Sequence, residues 1–262
     1  MNPLFSIVTV CYNSQNTIER TLKSVLEQKF VDYEYIVVDG NSTDGTVDLI
    51  KKYEPLFEGR MKWSSEPDDG IYNAFNKGIK KSKGFYVWLV NSDDYIESDA
   101  LNQLADIVRT LKSRELPIIA GRMNFRNVND DIVKIMGSSK ENFRIAYKKY
   151  WMGFPHPATV VPKMIYEKYG YYNEKFAIMA DLDWFRRMYE AKVNVLFIDV
   201  ILTNMCYGGI STKINFKKNS DDRKLLYKIH CKSKLSAYWQ YCVWLFFFVK
   251  INLKPYVKKI FK

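Results

Sequence analysis

The chain has 262 residues, of which 47% are hydrophobic and 26% charged. This composition excludes an intrinsically disordered protein and fits one large domain, alone or with an appendage. The formal net charge is +11, which favours a polyanionic partner: nucleic acid, a phosphorylated substrate or anionic lipid. The basic excess is concentrated in residues 213–262, where Asp221 and Asp222 are the only acidic residues.

The cysteines and the N-terminal residues bear on the cell compartment. None of the four cysteines has C-x-x-C spacing, which argues against a metal knuckle and fits a reducing compartment. Residues 1–6 lead directly into a strand pattern, without the basic and apolar regions of a secretory signal. No apolar run reaches the length of about 18 residues that marks a clear membrane span. We therefore expect a cytoplasmic location.

Strands and helices alternate in the first half of the sequence. Runs rich in β-branched residues predict strands at residues 5–10, 33–39, 61–64 and 85–90. Helical spacing of apolar residues predicts helices at residues 17–28 and 71–81. Another helix follows the loop at residues 39–45, whose polar residues can cap it, and ends at about residue 53. This alternation predicts an α/β fold with a doubly wound, mostly parallel, Rossmann-like sheet.

The second half of the sequence is less regular. Its strand-like segments cover residues 117–120, 123–128, 132–136 and 193–198, and its predicted helices cover residues 98–111, 162–169 and 181–191. A Gly-Gly loop precedes a final helical region that is basic and aromatic. We expect a main domain at residues 1–212 and a helical C-terminal appendage at residues 213–262.

Polar and acidic residues follow the ends of the four N-terminal strands. In chain order they are Thr9, Tyr12, Asn13, Asp39, Glu66, Asp68, Asp69, Asp93 and Asp94. In an open α/β sheet, ligands bind beyond the carboxyl ends of the strands. A cleft lined by carboxylates would repel a phosphorylated ligand unless a divalent cation lay between them. Oxygen ligands of this kind suit Mg²⁺ or Mn²⁺.

Three segments in this region form a recognisable pattern. They are residues 6–13 (Ser-Ile-Val-Thr-Val-Cys-Tyr-Asn), residues 38–46 (Val-Asp-Gly-Asn-Ser-Thr-Asp-Gly-Thr) and residues 91–94 (Asn-Ser-Asp-Asp). In this order and spacing they resemble the family 2 glycosyltransferases with the GT-A fold, over roughly residues 5–211. The resemblance implies an inverting, metal-dependent enzyme that transfers a sugar from a nucleoside-diphosphate sugar, most commonly a uridine one, to a hydroxyl group.

A fourth segment narrows the acceptor class. Residues 66–73 (Glu-Pro-Asp-Asp-Gly-Ile-Tyr-Asn) resemble a subset of bacterial members that build surface polysaccharides. We therefore expect a glycan acceptor, and a lipid-linked one in particular.

The resemblance also implies roles for individual residues. The donor-binding positions are Thr9, Tyr12, Asn13, Asp39, Asp69, Asn76, Lys77 and Asp93. Asp93 and Asp94 match the family's D-x-D-type element, whose last aspartate contacts the metal, and we expect both residues to bind it. Asp181 matches the general base, although Ala180 stands where the family usually has Glu. Phe75 replaces an Arg of the family pattern, which puts a diphosphate contact from this position in doubt.

Each of these roles has a structural alternative. The acids after the strands could be solvated turns or helix caps, and Asp181 could merely cap its helix. His156, between two prolines, could contact the acceptor or a phosphate, or could be a structural histidine. Gly208, Gly209 and Ser211 could form a plain turn or a lid over the donor; we favour the lid.

Two other function classes remain for comparison. A nucleotidyltransferase or sugar-nucleotide pyrophosphorylase would carry a Gly-rich, cationic loop after the first strand, but residues 11–15 read Cys-Tyr-Asn-Ser-Gln. A nucleic-acid-binding protein would show interleaved Arg and aromatic residues across its folded core, and this stripe is not apparent. We therefore expect no nucleic-acid partner.

The C-terminal region predicts a contact with a membrane surface. Residues 237–249 are apolar and aromatic, and several lysines follow them. As a helix these 13 residues would rise about 20 Å, less than the roughly 30 Å hydrocarbon core. Trp and Tyr favour the headgroup level and lysines favour anionic lipid. We predict an interfacial helix on the inner face of the plasma membrane; the alternative is a helix packed on the main domain or in a dimer contact.

Overall fold

The structure is a computed structural model that describes residues 2–111, 116–207 and 216–260. The strands are β1 (Phe5–Cys11), β2 (Tyr33–Asp39), β3 (Met61–Ser65), β4 (Tyr86–Leu89), β5 (Tyr95–Ile96), β6 (Ile118–Arg126), β7 (Ile132–Met136), β8 (Thr159–Pro162) and β9 (Val195–Cys206). The helices are α1 (Ile18–Leu26), α2 (Thr46–Tyr53), α3 (Ile71–Lys81), α4 (Ala100–Thr110), α5 (Lys140–Lys149), α6 (Lys163–Tyr169), α7 (Ala180–Glu190), α8 (Phe216–His230) and α9 (Lys234–Ile260). Short 3₁₀ turns cover Glu54–Phe57 and His156–Ala158.

The strands form one sheet in the order β3-β2-β1-β4-β8-β6-β9-β5, and β7 pairs with β6. The strands β3, β2, β1 and β4 are parallel, so their carboxyl ends lie at the same edge. β8 runs antiparallel to β4 and to β6, whereas β6 and β9 are parallel. The predicted α/β fold with a doubly wound, mostly parallel sheet is therefore confirmed, and four adjacent parallel strands come from the N-terminal half.

The buried strands explain why their sequence reads as continuous apolar runs. Every residue of β1 and β2 is buried, so neither strand shows a polar face. The helix α3 lies against β1 at Gly78, where an added Cβ would overlap the side chain of Val8. Glycine at this position thus allows α3, which follows the β3 loop, to approach the parallel strands closely.

The structure differs from the sequence-based elements at β6, β9 and α5, and it adds the short strand β5. The predicted strands at 117–120 and 123–128 are one strand, β6. The predicted strand at 193–198 continues to Cys206, past the exposed Asp199, whose carboxylate lies 2.6 Å from Arg122 Nη1. The helix α5 was not predicted, although Ser139 caps it: the Ser139 Oγ accepts a hydrogen bond from Asn142 N at 3.2 Å.

Residues 176–179 and 216–260 form a compact unit separate from the rest of the chain. Within it, α8 and α9 pack through the Phe216 ring, which lies 6.3 Å from Trp244 and 5.3 Å from Phe248. The hydroxyls of Ser220 and Tyr241 lie 2.7 Å apart. In the described part of the chain, no helix is long and apolar enough to cross a membrane. The predicted domain boundary, between residues 212 and 213, lies outside the described residues.

Candidate functional site

The loops that follow the parallel strands are joined by hydrogen bonds. Asn13 links the β1 loop to the β2 loop: its N donates to Ser42 Oγ at 2.8 Å, and its Oδ1 accepts from Thr43 N at 2.9 Å. The Ser14 Oγ lies 2.9 Å from Ser92 Oγ and links the β1 loop to the β4 loop. The residues after these strands therefore form one continuous edge. Asn13 itself uses its amide oxygen to hold this edge together.

Asp39 is the centre of the β2 loop. Its buried carboxylate accepts hydrogen bonds from Ser42 N (2.9 Å), Ser42 Oγ (2.5 Å), Ser65 Oγ (2.6 Å) and Cys11 Sγ (3.5 Å). These bonds fix the loop and tie it to the end of β3. A contact between Asp39 and a nucleotide base would have to replace one of them.

Tyr12 and Asp68 flank the backbone at Gly40. A Cβ added to Gly40 would lie 2.5 Å from Asp68 Oδ2 and 3.4 Å from Tyr12 Cδ2. The Tyr12 side chain is 63% exposed. An exposed aromatic face beside a carboxylate is a surface on which a nucleotide base can stack and donate a hydrogen bond. The sequence singled out Asp69 for this role, but Asp69 is exposed and it is Asp68 that lies against Gly40.

The structure places two predicted donor-binding residues in internal contacts. Thr9 is fully buried in β1, and its hydroxyl accepts a hydrogen bond from Tyr35 Oη at 3.0 Å. Asn76 is also buried, and its amide bonds both the N and the O of Tyr172 at 3.0 and 2.9 Å. Thr9 therefore lies in the sheet core and Asn76 anchors the segment that precedes α7. The predicted contacts of both residues with a donor stay predictions.

Lys77 supports the loop after β3. Its Nζ donates to Pro67 O at 2.8 Å and lies 3.6 Å from Glu66 Oε1. The ammonium group is thus engaged with the loop that carries Asp68. An ammonium group has three N–H donors, so the predicted contact between Lys77 and a donor stays a prediction.

Asp93 and Asp94 follow β4 as predicted, in different environments. Asp94 is 1% exposed; its Oδ2 accepts from Asn91 Nδ2 at 2.9 Å and its Oδ1 from Cys206 N at 3.2 Å. Burial, together with the neighbouring charge of Asp93, raises the pKa of Asp94 to about 7. Asp93 is half-buried. A cation near this pair would favour the ionised form of both carboxylates.

A divalent metal fits this pair only with help from other ligands. Among residues 2–111, 116–207 and 216–260, no group of three or more His, Cys, Asp and Glu side chains is arranged to hold a metal ion. Two carboxylates suffice for a Mg²⁺-type ion, which commonly takes its remaining ligands from substrate phosphates and water. The donor set therefore fits a metal that binds together with a diphosphate.

Arg20 places a positive charge beside Asp93 and Asp94. The sequence analysis did not indicate this residue. Its Nη2 lies 3.4 Å from the Asp93 carbonyl oxygen and 2.6 Å from Cys206 Sγ. Its Nη1 lies 3.2 Å from Asp130 Oδ1, and its guanidinium stacks 4.4 Å from the centre of the Tyr95 ring. These partners come from three separate segments, so no local motif could have pointed to Arg20.

Asp181 lies at the start of α7, as predicted for the general base. Its Oδ1 accepts hydrogen bonds from Leu182 N at 2.8 Å and from Tyr72 Oη at 3.3 Å. Burial raises the pKa of Asp181, whereas a positive charge on His156 lowers it. A carboxylate with a raised pKa is a stronger proton acceptor, which suits general-base catalysis near neutral pH.

His156 lies in an aromatic cluster next to Asp181. Its Nε2 is 2.9 Å from Tyr172 Oη, and its ring centre is 5.7 Å from that of Phe75. Burial lowers the pKa of His156, and the charge of Asp181 raises it. Phe75 is buried in the same cluster, so position 75 offers no cation to a diphosphate. A contact of His156 with an acceptor or a phosphate stays a prediction, and Gly208, Gly209 and Ser211 lie outside the described residues.

Comparisons with known proteins agree with this arrangement. The family model described as glycosyl transferase family 2 matches residues 6–167. A PGL/p-HBAD biosynthesis glycosyltransferase of Mycobacterium bovis is 26% identical over 218 residues, which cover 81% of this chain and 80% of the relative. The chondroitin synthase of Pasteurella multocida is 30% identical over 230 residues, which cover 85% of this chain and 22% of the synthase.

A crystal structure of S. aureus TarS residues 1–349 in complex with UDP-GlcNAc has a TM-score of 0.66 at 21% identity. The similarity covers 92% of this chain and 69% of that chain, but only 41% of the longer TarS chain in another crystal structure. It supports the fold. Because the family match spans more than half of the sequence and includes the edge that carries Tyr12, Asp68 and Asp94, the chain belongs to glycosyl transferase family 2.

Proposed function

We propose that this glycosyltransferase moves a sugar from a uridine-diphosphate sugar to a hydroxyl of a glycan or lipid-linked acceptor, with inversion, in the assembly of a surface polysaccharide. The observation that carries the proposal is the hydrogen-bonded edge of the sheet. The loops after β1 and β3 present Tyr12 and Asp68, and the loop after β4 presents Asp93 and Asp94. Asp181 is connected to the same edge by Tyr72, which follows the β3 loop directly. The names of the relatives support this substrate class.

The residues divide the chemistry between leaving group and nucleophile. Asp93 and Asp94 would hold the divalent metal, which when bound stabilises the charge that develops on the leaving diphosphate. Asp181 takes the proton from the acceptor hydroxyl as that oxygen attacks the anomeric carbon. One base and one displacement give inversion. Arg20 places a second positive charge beside Asp93, which would otherwise repel the diphosphate.

The experiment that tests this function is a donor screen. Purified protein is incubated with a panel of uridine-, guanosine- and cytidine-diphosphate sugars, with Mn²⁺ or Mg²⁺, and release of the nucleoside diphosphate is followed. We expect release from at least one uridine-diphosphate sugar, and more with the metal than in EDTA. Release from guanosine or cytidine donors alone would overturn the proposed nucleotide.

Donor recognition is tested at Asp39. The Asp39→Ala substitution removes the acceptor of four hydrogen bonds and frees the loop beside Tyr12. We expect UDP binding to weaken by about five- to a hundredfold, since unpaired buried donors cost about 1–3 kcal/mol. Calorimetric titration with UDP measures this change.

The matched control is Asp48→Ala, at an exposed carboxylate on α2. We expect it to retain most of the affinity. An unchanged dissociation constant in Asp39→Ala, or equal losses in both variants, would count against the assignment of this loop to the donor site.

The proposal includes a position on the cytoplasmic face of a membrane, with an anionic lipid surface as partner. One side of α9 packs on α8 through Tyr241, Trp244 and Phe248. Four other apolar side chains of α9, those of Leu235, Tyr238, Trp239 and Phe246, are between 64% and 79% exposed. These four positions follow helical spacing and so share a face. Lysines at positions 250, 254, 258 and 259 continue the same helix.

This combination fits an anionic bilayer better than a second protein. Trp and Tyr rings prefer the headgroup region, and each lysine near an anionic surface contributes on the order of 1 kcal/mol. Apolar side chains on one helix face can enter the headgroup boundary without crossing the bilayer. An enzyme docked in this way would meet an acceptor that is anchored in the same lipid layer.

Vesicle flotation tests the membrane contact. We expect full-length protein to float with phosphatidylglycerol vesicles at low salt and to float much less with phosphatidylcholine vesicles or at high salt. The combined substitution of Trp239→Ser and Phe246→Ser should abolish flotation. The control, Leu56→Ser with Phe85→Ser, removes exposed apolar side chains elsewhere and should float like the parent. Protein that stays unbound at low salt and sediments as a dimer would show that a second chain covers this face instead.

A further inference from the structure

The hydrogen bonds to Asp181 are distributed unevenly over its two oxygens. In the described part of the chain, two other residues donate hydrogen bonds to this carboxylate: Leu182 through its N and Tyr72 through its Oη. Both bonds end on Oδ1. A carboxylate held through one oxygen keeps its orientation while the other oxygen can accept a further proton. Tyr72 comes from α3 and Asp181 from α7, so their bond also joins two helices.

Tyr72 is itself held by its surroundings. It is 7% exposed, and its ring centre lies 5.7 Å from that of Tyr172 and 6.3 Å from that of Phe75. The hydroxyl of Tyr172 is 2.9 Å from His156 Nε2. The Tyr72 ring is therefore packed against a hydrogen-bonded phenol–imidazole pair, which restricts the direction of its hydroxyl.

The cluster explains the departure at position 75. Phe75 packs against the rings of Tyr72, Tyr172 and His156, at centre distances of 6.3, 6.0 and 5.7 Å. An apolar ring fits this buried position without the desolvation cost that a charged side chain would carry. The aromatic residue at this position thus belongs to the wall that supports Tyr72.

We infer that Tyr72 is a positioning residue for the general base: by donating to Asp181 Oδ1, it directs Oδ2 towards the acceptor hydroxyl. In the transfer step the acceptor oxygen forms its bond to the anomeric carbon, the bond to the diphosphate breaks, and the proton moves to Oδ2. The inference rests on the proposed role of Asp181 as the base. His156 and Tyr72 both lower the pKa of this carboxylate, and its charge in turn raises the pKa of Tyr172.

The test measures the Asp181 carboxyl directly and requires no substrate. Protein labelled with ¹³C at the Asp side-chain carboxyl is titrated by NMR, and the Asp181 signal is the one missing from Asp181→Asn. In Tyr72→Phe we expect the Asp181 midpoint to move to higher pH by about 0.5 or more, because a hydrogen bond to the ionised form is lost. The control Tyr171→Phe removes a nearby hydroxyl and should leave the midpoint in place. An unmoved midpoint in Tyr72→Phe would overturn the inference.

A second measurement separates the positioning role of Tyr72 from the role of Asp181 as the general base. The chain has two histidines, so His230 serves as the reference for the imidazole signal of His156. Asp181→Asn should move the His156 midpoint to lower pH, because the charge of Asp181 raises the pKa of His156. An unmoved His156 would place Asp181 outside this cluster and also overturn the inference. If Asp181→Asn retains full transfer activity, the base assignment fails, whatever the titrations of Tyr72→Phe show.

Discussion

Replacing Asp181 by Asn should lower the rate of sugar transfer by about a hundredfold or more, while UDP binding stays close to that of the parent protein. The substitution keeps the shape of the side chain and removes its ability to take a proton. General-base contributions are usually about a hundred- to ten-thousandfold. Steady-state kinetics with the donor found by the screen, together with UDP titration calorimetry, separates the two effects.

The pH dependence should identify the same group. A base must be ionised to act, so transfer should fall as the pH decreases through the pKa of Asp181, which burial raises above its usual range. In Asp181→Asn the remaining activity should lose this acidic limb. The control Asp106→Asn, at an exposed carboxylate on α4, should keep both rate and profile. Near-normal transfer in Asp181→Asn would mean that Asp181 only caps α7 and is not the general base.

Removal of the Asp94 carboxylate should abolish metal-dependent turnover. We expect Asp94→Ala to lose at least about a hundredfold in rate, because metal stabilisation of a leaving group is commonly worth several kcal/mol. Transfer by the parent protein should stop in EDTA and return with Mn²⁺ or Mg²⁺. The rate as a function of metal concentration, measured for parent and variant, gives the comparison.

Because Asp94 is buried, the folding of the variant has to be checked in the same preparation. Thermal unfolding shows whether Asp94→Ala folds, and Asp94→Asn offers a second variant that retains the side-chain volume. The control Asp106→Ala should show the metal dependence of the parent. Full activity in excess EDTA would refute the metal role of this pair.

The strand ends were predictable because parallel strands place consecutive loops at one edge. The bounds of β2 and α3 agree with those predicted from periodicity, and Asp93, Asp94 and Asp181 lie at the element ends expected for them. Sequence spacing could not, however, say which side chains are already occupied. Asp39 serves four internal donors, and Asn76 anchors Tyr172; only the three-dimensional hydrogen bonds show this.

Other parts of the site depend on contacts between distant segments. The choice between Asp68 and Asp69 is set by the conformation of the β3 loop, and both residues look equal in sequence. Arg20 reaches Asp93 and Cys206 from α1, and Tyr72 reaches Asp181 across more than a hundred residues of sequence. The long strand β9 escaped prediction because Asp199 interrupts its apolar run and pairs with Arg122 at the surface.

The most direct test of the account is to follow the transfer reaction by proton NMR, using an α-linked uridine-diphosphate sugar and its acceptor. We expect the donor's anomeric signal to be replaced by that of a β-linked product, with UDP formed in equal amount. A product with retained α configuration would contradict the single displacement assisted by Asp181. Formation of UMP or UTP in place of UDP would contradict glycosyl transfer itself.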